Sequence, residues 1–352
     1  MSELDKRILS PRVRPVSRIA LGSLTVSPMQ ASLPFDEAAD VVAYAFDSGI
    51  NFIDTAQYYE NYGIIREALK RCTSPDDVVI STKTYAYTRD LAVSAVEEAR
   101  RALDRDVIDI FMLHEQESYS TMQGHMPAYE YLLECREKGI IRAVGASTHH
   151  VSLVRGLIRL REEGIPVDVC HPLYNMAGIG IADGEEADMA AAVNDLHSMG
   201  VGIFGMKSLG GGHLSVKAED ALAFVLSKPF IDSVAVGMQS REEIDANIRL
   251  MTDGSFSDSD RESLKEKHRT LHVEDYCEGC GACVRRCGEG ALRLEDAPLD
   301  EDSPEYDFSA EFARENGIAR ERTKKRAVPD DRKCVRCGYC TKVCPVFALK
   351  IY

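Results

Sequence analysis

The stretch PFDEAADVVAYAFDSGINFID, residues 34–54, contains one helix-to-strand unit of this chain. Its first part, residues 34–49, places apolar residues at spacings of three and four and ends on a glycine, which is typical of an amphipathic helix. Its second part, residues 50–53, is a short and mostly apolar run that predicts a strand. The stretch therefore predicts a helix that leads into a strand.

The same alternation of strand and helix patterns recurs from about residue 18 to residue 250. A further helical pattern, DLAVSAVEEARRALD, begins at Asp90. Eight strands alternating with helices over roughly 250 residues predict an α/β fold, the (β/α)8 TIM barrel. The alternative is an open doubly wound sheet, but no G-x-G-x-x-G follows the first strand. The predicted strands are Arg18–Gly22, Ile50–Ile53, Val78–Thr82, Val107–Leu113, Ile141–Ala146, Val167–Cys170, Val201–Met206 and Ile231–Val236.

Composition excludes several classes of protein. With 352 residues, 45% hydrophobic and 28% charged, the chain is neither disordered, collagen-like nor a coiled coil in its main architecture. The formal net charge of −15 disfavours binding to nucleic acids and anionic membranes. The first ten residues, MSELDKRILS, lack the apolar core of a signal peptide, and no run of about 18 apolar residues follows. We therefore expect a cytoplasmic protein with no nucleic-acid or membrane partner.

Polar residues follow consecutive predicted strands at the points where the strands end. Asp54 follows NFI at the end of strand two, and Tyr59 lies five residues later. Lys83 follows VVIST at the end of strand three, and His114 follows IDIFML at the end of strand four. Active sites of (β/α)8 barrels are built at this end of the strands. Each residue alone is weak evidence, but the four together predict a catalytic site.

These side chains share one chemical role, which is proton transfer to a carbonyl oxygen. A tyrosine hydroxyl with its reference pKa of about 10 is a poor proton donor and acceptor near neutral pH, and a neighbouring ammonium favours the phenolate. Asp54 is expected to fix Lys83 by ion pairing, while neutral His114 orients a carbonyl against Tyr59. Tyr58 is interpreted as a wall of the pocket. We expect a small carbonyl or alcohol substrate.

The four residues resemble the signature of the aldo/keto reductase family, which places Asp, Tyr, Lys and His at successive strand ends. The resemblance covers about residues 15–252 and extends to GAST after strand five, MKSLGGG after strand seven and VGMQSREEIDANI around strand eight. It implies NAD(H) or NADP(H) as cofactor, with Ser147 on the carboxamide, residues 207–212 over the cofactor and Asn247 at the adenine. Loops after strands seven and eight commonly bind phosphate, where glycine lets the backbone approach. The implied cofactor-binding residues are Ser147, Lys207, Leu209, Gly210, Gly237, Met238, Ser240, Glu243 and Asn247.

Two positions depart from the family pattern. Members that prefer NADPH carry a basic residue four positions before the asparagine, and this chain has Glu243 there. A carboxylate repels a 2′-phosphate but accepts a hydrogen bond from a ribose hydroxyl, so we expect a preference for NADH, with Arg241 as the residue able to reverse it. In strand six, VDVCHPLYN leaves the family's amide contact unassigned among Cys170, His171 and Asn175. Cys170 is interpreted as a buried apolar residue.

Eight of the 11 cysteines lie beyond residue 276, which indicates metal binding rather than disulfides. They form two runs with the spacing C-x2-C-x2-C-x3-C, as in bacterial ferredoxins with two [4Fe-4S] clusters. Zinc is the alternative, but structural zinc sites use separated C-x2-C pairs. Because the fourth cysteine of each run ligates the other cluster, the ligand sets are Cys277, Cys280, Cys283 and Cys344 for one cluster, and Cys334, Cys337, Cys340 and Cys287 for the other.

The cysteine-rich tail resembles a dicluster ferredoxin domain, a small α+β fold. We predict a barrel domain over residues 1–270 and a ferredoxin-like domain over residues 271–352. Gly288 follows the first cysteine run at the position where Pro345 follows the second run. A long segment separates the two runs. The basic residues 324–326 in that segment are interpreted as a solvated face or as a docking surface for an acidic electron carrier.

Three functions stay open on this evidence. The first is a carbonyl reductase or alcohol dehydrogenase whose clusters serve structure, assembly or docking. Nicotinamide transfers two electrons as hydride while each cluster passes one, and the sequence has no dinucleotide fingerprint for a flavin. The second is an electron-transfer protein, in which a flavin-bearing or ferredoxin partner connects the clusters to the barrel. The third is a catalytically idle barrel that carries the tail.

Overall fold

A computed structural model of the chain describes residues 4–31, 33–266, 270–298, 323–336, 338–346 and 348–351. Cys337, one of the predicted cluster ligands, lies outside the described residues. The chain divides into two compact units, residues 1–28 with 32–267 and residues 29–31 with 268–352. The domain boundary at residue 270 stays a prediction.

The first unit is a closed barrel of eight parallel strands within the described residues. An antiparallel hairpin of β1 (Lys6–Arg7) and β2 (Val16–Ser17) precedes it. Each barrel strand pairs with its neighbour in the chain, and the last pairs with the first, as in Val234 beside Ile19. The predicted barrel is confirmed and the doubly wound sheet is wrong. The strands are β3 (Ile19–Gly22), β4 (Phe52–Asp54), β5 (Val79–Thr84), β6 (Ile108–Leu113), β7 (Ile141–Thr148), β8 (Val169–Pro172), β9 (Gly202–Gly205) and β10 (Ser233–Val236).

Helices cover the outside of the barrel. The helix predicted from Asp90 begins one residue earlier, because the Thr88 hydroxyl accepts a hydrogen bond from the Leu91 N–H and caps it, and it ends before Asp104 in the left-handed conformation. The helices of this unit are α1 (Phe35–Asp47), α2 (Tyr62–Arg71), α3 (Arg89–Leu103), α4 (Tyr119–Gly124), α5 (Met126–Glu137), α6 (Val151–Glu162), α7 (Glu186–Ser198), α8 (Ala218–Leu226), α9 (Arg241–Asp253) and α10 (Asp258–Glu266).

The interior of the barrel is filled by side chains from its own strands and from the β1–β2 hairpin. Phe52 and Phe204 meet edge to face with ring centroids 5.1 Å apart, and Leu9 of the hairpin belongs to the same buried cluster. A Cβ on Gly202 would lie 1.9 Å from the Leu9 carbonyl oxygen, so only glycine fits at the start of β9. The hairpin therefore packs at the amino ends of the strands, and the opposite rim remains for chemistry.

Four strands, β4, β5, β7 and β8, extend farther towards that rim than the sequence predicts. β4 reaches Asp54 and β7 reaches Thr148. β5 continues through Lys83 to Thr84, because Lys83 still pairs with Met112 of β6. β8 runs over residues 169–172 instead of 167–170, since its pairing with β7 includes Ser147 beside His171. These extensions place polar side chains on strands, where backbone pairing fixes their direction.

The second unit contains two short antiparallel pairs and two short helices among its described residues. β11 (Leu271–Val273) pairs with β14 (Leu349–Ile351), and β12 (Leu292–Pro298) pairs with β13 (Thr323–Pro329). The helices are α11 (Ala282–Arg286) and α12 (Tyr339–Lys342). Each begins after a glycine in the left-handed conformation, Gly281 (φ 73°) and Gly338 (φ 78°), so the two cysteine runs share one local structure.

Among the described residues, no helix has both the length and the apolar character needed to cross a bilayer.

Candidate active site and cysteine sites

A buried ion pair lies at the carboxyl ends of β4 and β5. Lys83 Nζ is 2.7 Å from both Oδ1 and Oδ2 of Asp54 and 2.8 Å from the Thr55 carbonyl oxygen, so each of its N–H groups has an acceptor. Burial by itself would raise the pKa of Asp54, but Lys83 and His171 hold that pKa far below its usual value. Burial lowers the pKa of Lys83, and Asp54 opposes this shift. The geometry is that of an ammonium donating to a carboxylate.

Tyr59 and His114 lie beside this ion pair. Lys83 Nζ is 5.2 Å from the centroid of the Tyr59 ring. The rings of Tyr59 and His114 meet edge to face with centroids 5.7 Å apart. Tyr59 ends a short 3-10 turn after β4, and His114 directly follows β6 and is buried. The structure thus brings the four predicted catalytic residues together, while their chemical roles stay predictions.

An aromatic wall extends from His114 to the surface. The Tyr85 ring stacks on His114 at 4.5 Å, and Tyr58 meets Tyr85 edge to face at 5.6 Å. Both tyrosines are about two-fifths exposed, at 39% for Tyr58 and 40% for Tyr85. Tyr85 was missed by the sequence analysis, although its position two residues after Lys83 puts it just beyond the end of β5.

Of the three residues left unassigned in strand six, His171 is the one that contacts the buried ion pair. Its Nε2 lies 3.5 Å from Asp54 Oδ2. Cys170 is fully buried and burial raises the pKa of its thiol, which agrees with an apolar role. The Asn175 amide instead holds the loop after β8, donating to the Ile179 carbonyl oxygen and accepting from the Ile179 N–H.

The loop after β9 has a backbone that suits close contact with a ligand. Gly210, Gly211 and Gly212 all have positive φ, and so does Lys207 at 55°. Successive glycines of this kind leave backbone N–H groups unscreened by side chains. Leu209, predicted to bind cofactor, is partly buried against the barrel core.

Two further predicted cofactor residues lie where strands meet the rim. The Ser147 hydroxyl at the end of β7 accepts a hydrogen bond from the Glu115 N–H at 2.8 Å. After β10, a Cβ on Gly237 would lie 2.2 Å from Thr25 Cγ2, so the backbone passes too close for any side chain. Met238, next in the chain, is fully buried.

The start of α9 holds the remaining three predicted cofactor residues. The Ser240 hydroxyl caps the helix by accepting from the Glu243 N–H at 3.3 Å, and Glu243 Oε2 accepts from the Gln239 N–H at 2.8 Å. The carboxylate of Glu243 therefore already has a capping partner. Asn247 Nδ2 donates to the Glu243 carbonyl oxygen, while its buried Oδ1 has no hydrogen-bond partner within the part of the chain that the structure describes.

A surface cavity of about 550 Å³ lies beside the start of α9. Its lining is acidic, since Glu37 and Asp40 from α1 face it together with Glu242. Asp40 is also paired with Arg71 at 2.8 Å. Arg241 lines the cavity too, and its guanidinium carbon lies 4.9 Å from the centroid of the Tyr44 ring.

Gln116, which sequence reasoning missed, is buried at 3% exposure near His114. Its Nε2 donates to the His114 carbonyl oxygen at 3.2 Å, and its Oε1 lacks a hydrogen-bond partner among the described residues. No sequence motif singles it out, because an isolated glutamine two residues after a strand has no distinctive spacing.

In the second unit, one predicted ligand set surrounds a single cavity. Cys277, Cys280, Cys283 and Cys344 all line it, with apolar residues such as Leu294 and Ala327. Burial raises the pKa of the Cys283 thiol, and the three other thiols act in the same direction. Cys344 joins this group although it belongs to the second run.

The other predicted set is described only in part, because Cys337 lies outside the described residues. Cys287 and Cys344 occupy matching positions, since each Sγ accepts a hydrogen bond from the N–H four residues later, at 3.3 Å from Ala291 and 3.2 Å from Ala348. Among the described residues, no three His, Cys, Asp or Glu side chains converge tightly enough to hold one metal ion. A four-iron cube spaces its thiolates farther apart than a single zinc ion does.

Two family models match the chain. The model of the aldo/keto reductase family matches residues 18–221, more than half of the chain. The chain belongs to the aldo/keto reductase family. The model of the 4Fe-4S dicluster domain matches residues 276–348. The resemblance of an aldo/keto reductase barrel joined to a dicluster domain is thereby confirmed.

Curated relatives of this aldo/keto reductase are oxidoreductases. L-galactose dehydrogenase of Arabidopsis thaliana is 23% identical over 311 residues, which cover 77% of this chain and 95% of that protein. Methylglyoxal reductase DkgA of Yersinia pestis is 27% identical over 170 residues, which cover 47% of this chain and 59% of that protein. These relatives indicate that the chain is an oxidoreductase.

Solved aldo-keto reductases share the barrel. The holo form of an enzyme from Bacillus halodurans has a TM-score of 0.58 and 18% identity, over 75% of this chain and 96% of that chain. The Bombyx mori enzyme in complex with NADP has a TM-score of 0.58 and 15% identity, over 76% and 93%. At this identity the likeness shows the fold alone.

Proposed function

We propose that this aldo/keto reductase transfers hydride between NADH and a small carbonyl compound or alcohol, with Tyr59 as the proton donor and acceptor. One observation carries the proposal. The buried Asp54–Lys83 pair lies next to the Tyr59 ring, and the His114 ring meets the Tyr59 ring edge to face. This combination of a cation, a phenol and an imidazole has no need to exist for stability alone, since a buried ion pair is costly to desolvate.

Each residue has a defined part in the reaction. Asp54 holds Lys83, whose N–H groups are occupied by Asp54 and Thr55, so the ammonium acts on Tyr59 through its charge. A cation beside the ring favours the phenolate and makes the hydroxyl a better acid when a carbonyl oxygen gains charge. His114 orients the substrate oxygen by a hydrogen bond.

The residues at the rim fit a nicotinamide dinucleotide. The unpartnered Oδ1 of Asn247 suits the amino group of adenine. The glycines 210–212 carry no side chains that would keep a pyrophosphate away from the backbone, although the Gly210 and Gly212 N–H groups donate to the Lys207 and Leu209 carbonyl oxygens at 2.8 and 3.0 Å. When bound, the nicotinamide supplies or accepts the hydride. The Bombyx mori enzyme, which shares the fold, was solved in complex with NADP.

We assign the preference for NADH to the acidic cavity beside α9. A 2′-phosphate placed there would face three carboxylates and one guanidinium, whereas a ribose hydroxyl could donate to any of the carboxylates. These groups belong to Glu37, Asp40, Glu242 and Arg241. Equilibrium titration of the full chain should give a lower Kd for NADH than for NADPH. The substitution Glu242→Gln should lower the ratio of the Kd for NADPH to the Kd for NADH about tenfold. Removing about 1.4 kcal/mol of repulsion between like charges corresponds to a factor of ten in Kd. A tighter Kd for NADPH in the unmodified chain would reject this assignment.

The four cysteines that line one cavity support one [4Fe-4S] cluster in the second unit. The second predicted ligand set, which is described except for Cys337, supports another. A second function, electron exchange with a redox partner, is favoured by one observation, which is that Cys280 is exposed. Adding NADH to anaerobic, flavin-free protein tests the structural role. Bleaching of the visible cluster absorbance would reject a purely structural role for the clusters.

The tyrosine role is tested by Tyr59→Phe, with methylglyoxal plus NADH and L-galactose plus NAD⁺ as probe reactions. We expect kcat to fall by about 10²–10⁴-fold, the usual contribution of a general acid, with the Kd for NADH unchanged. Tyr131→Phe on α5 is the matched control and should behave as the unmodified chain. Turnover retained by Tyr59→Phe would reject the role of Tyr59.

A further inference from the structure

Two aromatic side chains contact the His114 ring. Tyr59 meets it edge to face, and Tyr85 covers one of its faces at a centroid distance of 4.5 Å and an interplanar angle of 24°. His114 is buried at 4% exposure, whereas Tyr85 is 40% exposed. Since solvent lies on one side of Tyr85, packing alone does not fix where its ring lies.

Glu115 holds the far end of the Tyr85 ring. The Tyr85 hydroxyl donates to Glu115 Oε2 at 2.5 Å, and the other carboxylate oxygen of Glu115 lies 4.0 Å from His149 Nε2. The Glu115 backbone is itself held, because its N–H donates to Ser147 Oγ at 2.8 Å. Its φ of 47° is in the left-handed region, which residues other than glycine rarely adopt and which recurs at functional sites. Glu115 thus follows His114 in the chain and reaches the tyrosine that covers the His114 ring.

The plane of the His114 ring sets the direction of any hydrogen bond that it donates. The N–H of an imidazole lies in the plane of the ring, and a hydrogen bond weakens steeply as it bends. The χ2 torsion of histidine has a broad energy minimum, so the side chain does not set this plane by itself. Rotation about χ2 would turn the edge of the His114 ring into the stacked Tyr85 ring. Tyr85 therefore restrains the plane from which His114 donates.

We propose that Tyr85 and Glu115 are positioning residues for His114. The Glu115 carboxylate holds the Tyr85 hydroxyl, and the Tyr85 ring holds the plane of the His114 ring. His114 is thereby directed at the substrate oxygen beside Tyr59. Tyr85 and Glu115 take no chemical step of their own, since they act through His114. This inference rests on the proposed role of His114.

The kinetic test uses Tyr85→Phe, which keeps the ring but removes the hydroxyl that Glu115 holds. With methylglyoxal and NADH as probes, we expect kcat to fall about tenfold through loss of orientation, with the Kd for NADH unchanged. Glu115→Ala should lower kcat by a similar factor. Combining the two changes should lower it no further, since both break the same hydrogen bond. A fall of about a hundredfold in the double variant would show independent roles and overturn the proposal.

A conservative replacement separates the hydrogen bond from the charge of Glu115. Glu115→Gln keeps an oxygen that can accept from the Tyr85 hydroxyl, so it should recover most of the kcat that Glu115→Ala loses. Equal losses in the two variants would assign the effect to the charge of Glu115 and overturn the proposal.

Action through His114 is tested in a chain that lacks the imidazole. Tyr85→Phe added to His114→Gln should give the kcat of His114→Gln alone, and a further fall of about tenfold would overturn the proposal. If His114→Gln by itself left kcat unchanged, the proposed role of His114 would fail, and this inference with it. If His114→Gln lowered kcat and Tyr85→Phe did not, only this inference would fail.

Tyr87→Phe is the matched control. Tyr87 is an exposed tyrosine two residues farther along the same loop, and its ring meets His125 instead, with centroids 6.2 Å apart. This variant should keep the kcat of the unmodified chain, and a tenfold fall here as well would assign the effect to the loop and overturn the proposal.

A measurement without turnover follows the His114 ring directly. Nuclear magnetic resonance relaxation of ¹³C at Cε1 of the histidine rings in the full chain reports their motion, and His114→Gln assigns the signal. We expect a lower order parameter for His114 in Tyr85→Phe and in Glu115→Ala than in the unmodified chain or in Tyr87→Phe. An unchanged order parameter in Tyr85→Phe overturns the proposal, whether or not the probes are turned over.

Discussion

At the scale of single residues, the Asp54–Lys83 pair links the stability of the barrel to its chemistry. Lys83→Met would leave the Asp54 carboxylate buried at 4% exposure without its cation. Breaking a buried pair from one side costs about 3–5 kcal/mol, because the remaining charge is desolvated and unpaired. We expect a loss of that size in the free energy of unfolding, measured by urea denaturation followed by circular dichroism. The double variant Asp54→Asn with Lys83→Met should recover part of it, and a single-variant loss below about 1 kcal/mol would contradict the prediction.

His149 makes the stability of the barrel depend on pH. Burial, and then Lys207, lower its pKa to about 4, against the attraction of Glu115. The unfolded chain has the ordinary value of 6.5, so only the unfolded state takes up a proton as the pH falls from 6.5 to 4. Stability is thus lost in that window, at up to about 1.4 kcal/mol per pH unit. The free energy of unfolding should fall less between pH 6.5 and pH 5 in His149→Gln, and parallel curves would count against this account.

The catalytic tetrad could be predicted because each of its residues has a local signal, a polar side chain at the end of an apolar strand. His171 directly follows the predicted strand Val167–Cys170 and has the same signal, whereas Gln116 has none. The contact between His171 and Asp54 joins β8 to β4 across the closed barrel, and only closure of the sheet brings the two together. Gln116 Oε1 has no hydrogen-bond partner among the described residues because of how the surrounding side chains pack, and sequence spacing does not predict that packing.

At the scale of elements, the loops that follow the strands are fixed by backbone contacts. Gly237→Ala would bring a methyl group to 2.2 Å from Thr25 Cγ2, so the loop after β10 must shift. We expect this variant to lose about 1–3 kcal/mol of stability and to bind NADH more weakly. Adding Thr25→Ser removes the Cγ2 atom and should restore much of both, as urea denaturation and NADH titration can measure. Gly124→Ala at the end of α4 is the control for added bulk alone, since no atom lies within 4 Å of its Cβ position and its φ is not positive. No rescue by Thr25→Ser would rule out this clash as the cause.

The apolar pattern of the sequence predicts the strands but not where they end. The eight strands could be predicted because parallel barrel strands are buried on both faces and their sequences are apolar runs. The polar ends of β4, β5, β7 and β8 were missed. Asp54, Lys83, Ser147 and His171 break the apolar pattern while their backbones still pair. Register in the closed sheet, which is a long-range property, therefore decides where the strands end.

At the scale of the whole molecule, the chain joins a two-electron site to proposed one-electron sites, and the cysteine assignment can be tested by counting metal. Cys283 and Cys344 belong to different runs but line the same cavity, so their replacement by alanine should remove the same cluster. Each single variant should retain about half of the roughly eight iron atoms per chain expected for two clusters. Iron and acid-labile sulfide analysis of anaerobically purified protein gives the measurement.

Double variants separate crossed ligation from ligation within each run. Cys283→Ala with Cys344→Ala should lose no more iron than either change alone, whereas Cys283→Ala with Cys287→Ala should lose both clusters. If each run held its own cluster, the first pair would lose all the iron and the second pair only half. Loss of all iron from every single variant would instead show that neither cluster persists without the other. Because Cys344 Sγ accepts the Ala348 N–H just as Cys287 Sγ accepts that of Ala291, the two crossing cysteines are held alike, and we expect the crossed pattern.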